Sequence, residues 1–194
     1  PIAHDLLSAV ALPEGAHNVQ EDHTYVVTRD PTSGALLYGL ACFHNRRDPT
    51  VPRGAILKSL LVLSRRPHYS FLLPVLRIAI SLYVDEPDPT ILATLFSRVN
   101  ALKSASTAED SLTLWGHSFA VDMPSLPPDQ FGGASVLRLV KRFREDTMLI
   151  WWALILQLRL LVVGQPAGAV CDCCIATPLL VAPLRGLVDV LTPY

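Results

Sequence analysis

Charge is scarce in this chain. Asp, Glu, Lys and Arg together make up only 17% of its residues, against about 25% in ordinary globular domains. Either a partner covers part of the surface, or part of the fold lies outside the sequence. Neither sign is in excess. Sixteen basic and seventeen acidic residues leave a formal charge of -1, which argues against a dedicated nucleic-acid surface. No basic flank followed by an apolar core opens the chain, so no secretory signal is expected. No apolar run reaches the roughly 20 residues that a bilayer-spanning helix needs. The most apolar stretch, Met148 to Val163, is interrupted by Gln157 and Arg159 and ends at Gly164-Gln165-Pro166. It reads as a buried helix followed by a buried strand. Cysteine is also sparse: Cys42, Cys171, Cys173 and Cys174. Three of these crowd together, and no second Cys/His pair completes a tetrahedron. They read as small buried hydrophobes in a reducing compartment. No metal and no cofactor is expected.

What is present is apolar and foldable. The chain has 194 residues, 51% of them hydrophobic. That length suits one or two domains and can bury roughly 70% of the unfolded surface. Leu6, Leu7 and Val10 suit one side of a short helix within residues 1–11, which Pro13 and Gly15 end. His23 to Arg29 is strand-like. Asp30-Pro31-Thr32-Ser33-Gly34 is turn chemistry, and Ala35 to Phe43 reads as the returning strand. A polar loop spans His44 to Gly54. Ala55 to Leu63, apolar almost throughout, predicts a strand covered on both faces. Helical spacing follows at Leu72, Leu76, Ala79, Ile80 and Tyr83. Asp88 and Pro89 are a cap and first turn for another helix. Its stripe is Ile91, Leu92, Leu95, Phe96, Val99 and Leu102. Both helices are expected to pack on a sheet. Residues 104–134 read as a linker holding a short strand at Leu112 to Val121. A helix is expected from Ser135 to about Gln157, then a strand from Leu158 to Val163, then a helix from Ala167 until Pro178 and Pro183 interfere.

Catalytic patterns are weak. Gly164 and Gly168 have the setting of a phosphate loop but lack Gly-Lys-Ser/Thr. His117 and Ser118 are neighbours, and neighbours seldom present base and nucleophile to one another. The carboxylate pairs Glu21-Asp22 and Asp85-Glu86 sit at element boundaries, where capping and turn formation explain them. The cysteines have no electropositive setting. The one surface feature is a basic helix. Arg138, Lys141 and Arg142 fall on roughly one face, with Arg144 beyond them and Leu137, Val140 and Phe143 between. It is either a solvated face or a contact for acidic lipid headgroups or an acidic partner.

One label is more specific. Leu12-Pro13-Glu14-Gly15-Ala16-His17-Asn18, followed by Gln20-Glu21-Asp22 and by Tyr38-Gly39-Leu40-Ala41-Cys42, resembles the late-secretory-pathway transport proteins of the AVL-nine type, within the DENN-domain superfamily. The likeness continues through Lys58 to Pro67 and through Leu137 to Pro166. It implies an α/β fold. A longin-like (uDENN) lobe, an antiparallel sheet with packed helices, would occupy 1–103, and the start of an α/β central DENN lobe 135–194. It implies a regulator of vesicle trafficking and exocytosis that binds a Rab-type small GTPase and promotes guanine-nucleotide exchange without covalent catalysis. The place would be the cytoplasm, on Golgi or secretory-vesicle membranes. A non-catalytic scaffold is the alternative, and an unrelated enzyme a more distant one. A longin-like lobe normally opens with a strand hairpin that this sequence lacks. The expectation is therefore a fragment, an incomplete gene product or a degenerate copy.

Overall fold

Asp30 closes the first hairpin. Its carboxylate accepts hydrogen bonds from the Thr32 amide (2.9 Å) and the Ser33 hydroxyl (2.8 Å), while its backbone N–H donates to Ala35 O. Gly34 supplies the left-handed φ of +68° that completes the turn. These bonds hold the Asp30 carboxyl below its ordinary pKa. Asp48 repeats the device at the next turn, accepting from both the hydroxyl and the amide of Thr50.

The computed structural model describes residues 4–13, 15–102, 111–121 and 135–181. The chain divides into two units, Pro1–Gln130 and Phe131–Tyr194. Unit one holds helix α1 (His4–Ala11), strands β1 (Glu21–Arg29), β2 (Leu36–Arg47) and β3 (Ala55–Ser64), helices α2 (Tyr69–Asp85) and α3 (Pro89–Ala101), and a small hairpin, β4 (Ser111–Leu114) and β5 (His117–Ala120). Unit two holds helices α4 (Val136–Phe143), α5 (Thr147–Ile155) and α6 (Ala167–Ala176). The fold class is α/β, as expected. Of the expected linker, only 111–121 falls among the described residues.

The three long strands form an antiparallel meander in the order β1-β2-β3. Alternation gives the sheet two faces. Tyr25, Cys42, Leu40 and Leu60 share the face toward α2, where the Tyr25 and Tyr69 rings lie 4.6 Å apart. Thr24, Ala41, Phe43 and Ser59 share the face toward α1. There the hydroxyls of Thr24 and Ser59 donate to Val10 O and Ala11 O, at 3.3 and 2.6 Å. The last carbonyls of a helix have no partner within it. These two bonds therefore serve as the end cap of α1 and dock it at once.

Helix α2 is buried by neighbours on two sides, the sheet on one and α3 with β5 on the other. Tyr69, Phe71, Leu72, Leu73, Val75, Leu76, Ala79, Ile80 and Val84 are all buried. Ser70, Pro74 and Arg77 form the one exposed stripe of the helix. Pro74 cannot donate to Ser70 O, and its place on that stripe leaves the carbonyl within reach of water. The β4–β5 turn, Trp115-Gly116, has φ of +48° and +78°, the mirror-image geometry that suits a two-residue hairpin. It places Leu112, Leu114 and Phe119 in the core.

Five expectations are corrected. β2, not β3, is the covered strand: Gly39 to His44 are fully buried, whereas β3 is half-buried throughout. β3 lies at the edge of the meander and has a strand neighbour on one side only among the described residues. The polar loop expected from His44 begins four residues too early, since β2 runs to Arg47. The α3 stripe is covered only in part. Leu95 is buried but Phe96 is 74% exposed, because α3 packs on α2 and β4 and not on the sheet. The helix from Ser135 is broken at Arg144, whose φ of +49° and ψ of -120° no α-helix accepts. Leu158 to Val163 forms no strand and joins no ladder among the described residues.

Gly39 lies at the centre of β2 on the α1-side face. A Cβ there would come within 3.0 Å of Leu63 Cδ2 and 3.1 Å of Val26 Cβ. The latter is tied to backbone and cannot retreat. Gly39→Ala should lower stability by about 1–3 kcal/mol in urea unfolding, and Gly39→Val by more. An unchanged midpoint would show that the strands part freely here. Asp88 caps α3 by accepting from Thr90 N at 2.8 Å, and the Thr90 hydroxyl also donates to it. These bonds, the hydroxyl's first, lower its pKa. A lowered carboxylate contributes stability above its unfolded pKa, about 3.9, and loses it as pH falls through the folded value. Asp88→Ala should therefore melt earlier than the parent at neutral pH, with the gap closing in strong acid. A gap that persists in acid would mean that the carboxylate charge is not what caps the helix.

Candidate functional site

The basic helix α4 is positioned by its apolar side. Leu139 is buried with Cys173 and Ala176 of α6, and Phe143, Val162, Ile175 and Leu180 pack around them. At about 100° per residue, Arg138, Lys141 and Arg142 span an arc of about 100° beside that buried edge. All three are exposed. They do not behave alike. Arg142 lies between Arg138 and the buried edge, and its Nη1 reaches Cys173 Sγ at 3.8 Å, so it leans over α6. Lys141 lies on the far side of the arc, beside exposed Leu137 and Val140. Arg144, at the chain reversal after α4, is also exposed.

Beyond Arg144 the chain becomes apolar and does not bury itself. In α5 only Thr147 and Leu154 are buried. Leu149 is 67% exposed and Trp152 54%. The helix ends in a paired-bond cap, with Gln157 N donating to Leu154 O and Leu158 N to Ala153 O. Gln157 takes the left-handed position at φ +54°, a place usually held by glycine. This cap leads into the irregular segment 158–163. Val162 packs on the Leu139 cluster, while Leu161 and Val163 are 89% and 83% exposed. The expected buried helix and buried strand are thus largely solvent-facing. Apolar composition marks this stretch, but burial depends on a second layer that composition does not specify.

The other chemical candidates resolve into structure. Glu21 and Asp22 do not sit in a cap or turn; they open β1. Glu21 Oε1 lies 3.0 Å from His44 Nδ1 across the strand pair, and Asp22 Oδ1 lies 3.6 Å from His23 Nδ1. His44 is also the cross-strand neighbour of Lys58, whose ammonium sits 4.7 Å over the Tyr83 ring. One row of the sheet therefore carries carboxylate, imidazole and ammonium in turn. Asp85 pairs with Arg46 at 3.1 Å, while the Glu86 amide closes the end of α2 on Leu82 O. The Ser118 hydroxyl lies 3.3 Å from Thr113 Oγ1, and its neighbour His117 points to the opposite face of the strand. Gly164 is preceded by no strand, and Pro166 stands at the start of α6. Among the described residues no group of three or more His, Cys, Asp or Glu is placed to hold a metal. No helix there is long and apolar enough to cross a membrane.

Burial pushes the Cys42 thiol up to about 12, against a smaller opposing pull from Arg77. Burial also raises Cys174. A protonated thiol is a poor nucleophile. Cys42 should therefore resist a disulfide reagent at pH 8 in the folded chain and react at the rate of unfolding. Rapid labelling of Cys42 in the native state would contradict its placement in the core.

The residues of the opening label have structural tasks. Gly15 takes φ +84°, Ala16 is buried, and the Asn45 side chain holds the connector from α1 to β1 by donating to His17 O (3.0 Å) and Val19 O (3.4 Å). Comparison with known proteins finds no solved structure that matches this chain. The family described as Transport protein Avl9 matches residues 2–190. That match runs through both units, and the chain belongs to the Avl9 transport protein family.

Proposed function

We propose that this chain is part of a regulator of late-secretory-pathway trafficking that works by binding a Rab-type small GTPase and promoting its nucleotide exchange. The observation that carries the reading is the family match over residues 2–190. A place in transport follows from the family; the GTPase, the exchange activity and attachment to Golgi or secretory-vesicle membranes are our reading. Exchange needs no covalent catalyst. It requires tighter binding to the nucleotide-free GTPase than to the GDP form, a shift of population between states. A 100-fold faster release corresponds to about 2.8 kcal/mol of such preference. Arg138, Lys141 and Arg142 are the residues we assign to an acidic surface, with Lys141 the best placed because its side of α4 faces away from α6.

A fluorescent-GDP release assay over a Rab panel tests the reading. The expected result is acceleration with one or a few GTPases, together with tighter binding to their nucleotide-free forms. Stable binding that ignores the nucleotide would remove exchange and leave a scaffold. No binding to any GTPase would remove the proposal.

A further inference from the structure

The apolar run of unit two is held outward by the fold. Leu149, Trp152 and Leu156 lie at helical spacing on one side of α5, and each is more than half exposed. In the irregular segment that follows, Leu158, Arg159, Leu160, Leu161 and Val163 are all exposed. Val162, between them, packs on the Leu139 cluster. That contact anchors the segment at one point and leaves its neighbours in solvent. Isolated exposed apolar residues are ordinary, but a contiguous group of this extent on a soluble surface marks an interaction site.

The charges around the run indicate what covers it. Between residues 135 and 181 the basic side chains are Arg138, Lys141, Arg142, Arg144 and Arg159, and the acidic ones are Glu145, Asp146 and Asp172. Arg159 is exposed within the apolar run itself, and Lys141 is exposed beside Leu137 and Val140. Cations set among exposed leucine, valine and tryptophan suit a boundary that is apolar on one side and anionic on the other. Two-fold pairing with a second copy suits it less well, because an isologous interface sets each patch, Arg159 included, against itself. The nine residues of α5 are only about 14 Å long, enough to lie in a membrane surface and not to cross it.

We propose that this run inserts into the interfacial layer of an anionic membrane. Trp152, Leu156, Leu161 and Val163 enter the headgroup–acyl boundary, while Arg159 and Lys141 meet lipid phosphates. The inference deepens the membrane attachment proposed above, and it fails separately from it.

The test uses the 194-residue chain carrying Trp115→Phe, so that fluorescence reports Trp151 and Trp152. It is mixed with phosphatidylcholine vesicles, with or without phosphatidylserine, that contain a brominated lipid as quencher. The expected result is co-sedimentation with the anionic vesicles and quenching of tryptophan. Lys141→Ala and Arg159→Ala should each weaken binding by about fivefold, at about 1 kcal/mol per basic residue near the surface. Leu161→Ser with Val163→Ser should abolish quenching. If that pair fails to fold, the two charge variants and the quenching of the parent chain decide. Sedimentation without quenching overturns insertion and leaves attachment standing. No sedimentation overturns both. A concentration-dependent dimer that shields Trp152, and that Leu161→Ser disrupts, assigns the run to a second copy instead and overturns the membrane.

Discussion

Helix α2 is claimed from two sides, and unit one is arranged around that fact. A helix that lies on a sheet ordinarily keeps a polar half for water. α2 keeps only the stripe of Ser70, Pro74 and Arg77, because α3 and the small hairpin occupy what would have been its outer side. Its partners follow from this. β2, directly beneath it, must be apolar toward the helix and is fully buried over Gly39 to His44. Glycine at 39 is required on the reverse face, where Leu63 and Val26 close over the strand. α1 then seals that face, with Thr24 and Ser59 serving its terminal carbonyls.

One set of polar groups crosses the sheet as a row of complementary charges. Glu21, His44 and Lys58 cross the three strands in register, and the Tyr83 ring of α2 covers the last of them. A buried carboxylate or imidazole without partners would cost several kcal/mol. Here each is set beside its complement by strand register alone. These residues resemble catalytic dyads in composition, but their geometry is that of a sheet cross-section near the end of α2, where Arg46 and Asp85 complete the pattern nearer solvent.

Much of unit one was legible because its signals are local. Asp30 to Gly34 marks a turn by chemistry that acts within five residues, and Asp88-Pro89 marks a helix start in the same way. What escaped depends on distant neighbours. No periodicity tells whether an apolar strand such as β3 is central or at the edge, since that is decided by which strands pair. The break at Arg144 is a single backbone conformation inside an unbroken helical pattern. The apolar run after it was legible as composition and misread as burial, because burial is a property of the partner as well as of the residue. The basic residues of α4 were legible as a face. The separation of Arg142 from Lys141 was not, since it depends on Cys173 arriving from α6.

The meander carries a consequence for the order in which the chain acquires structure. Its two strand pairs each join neighbours in sequence, through turns that aspartates close. Few residues lie between partners, so little loop entropy opposes each closure, and local topologies of this kind fold fast for their size. The sheet spans residues 21–64 and needs nothing from the chain beyond it to set its register. It can therefore offer α2 a surface whose register is already set by the strands themselves.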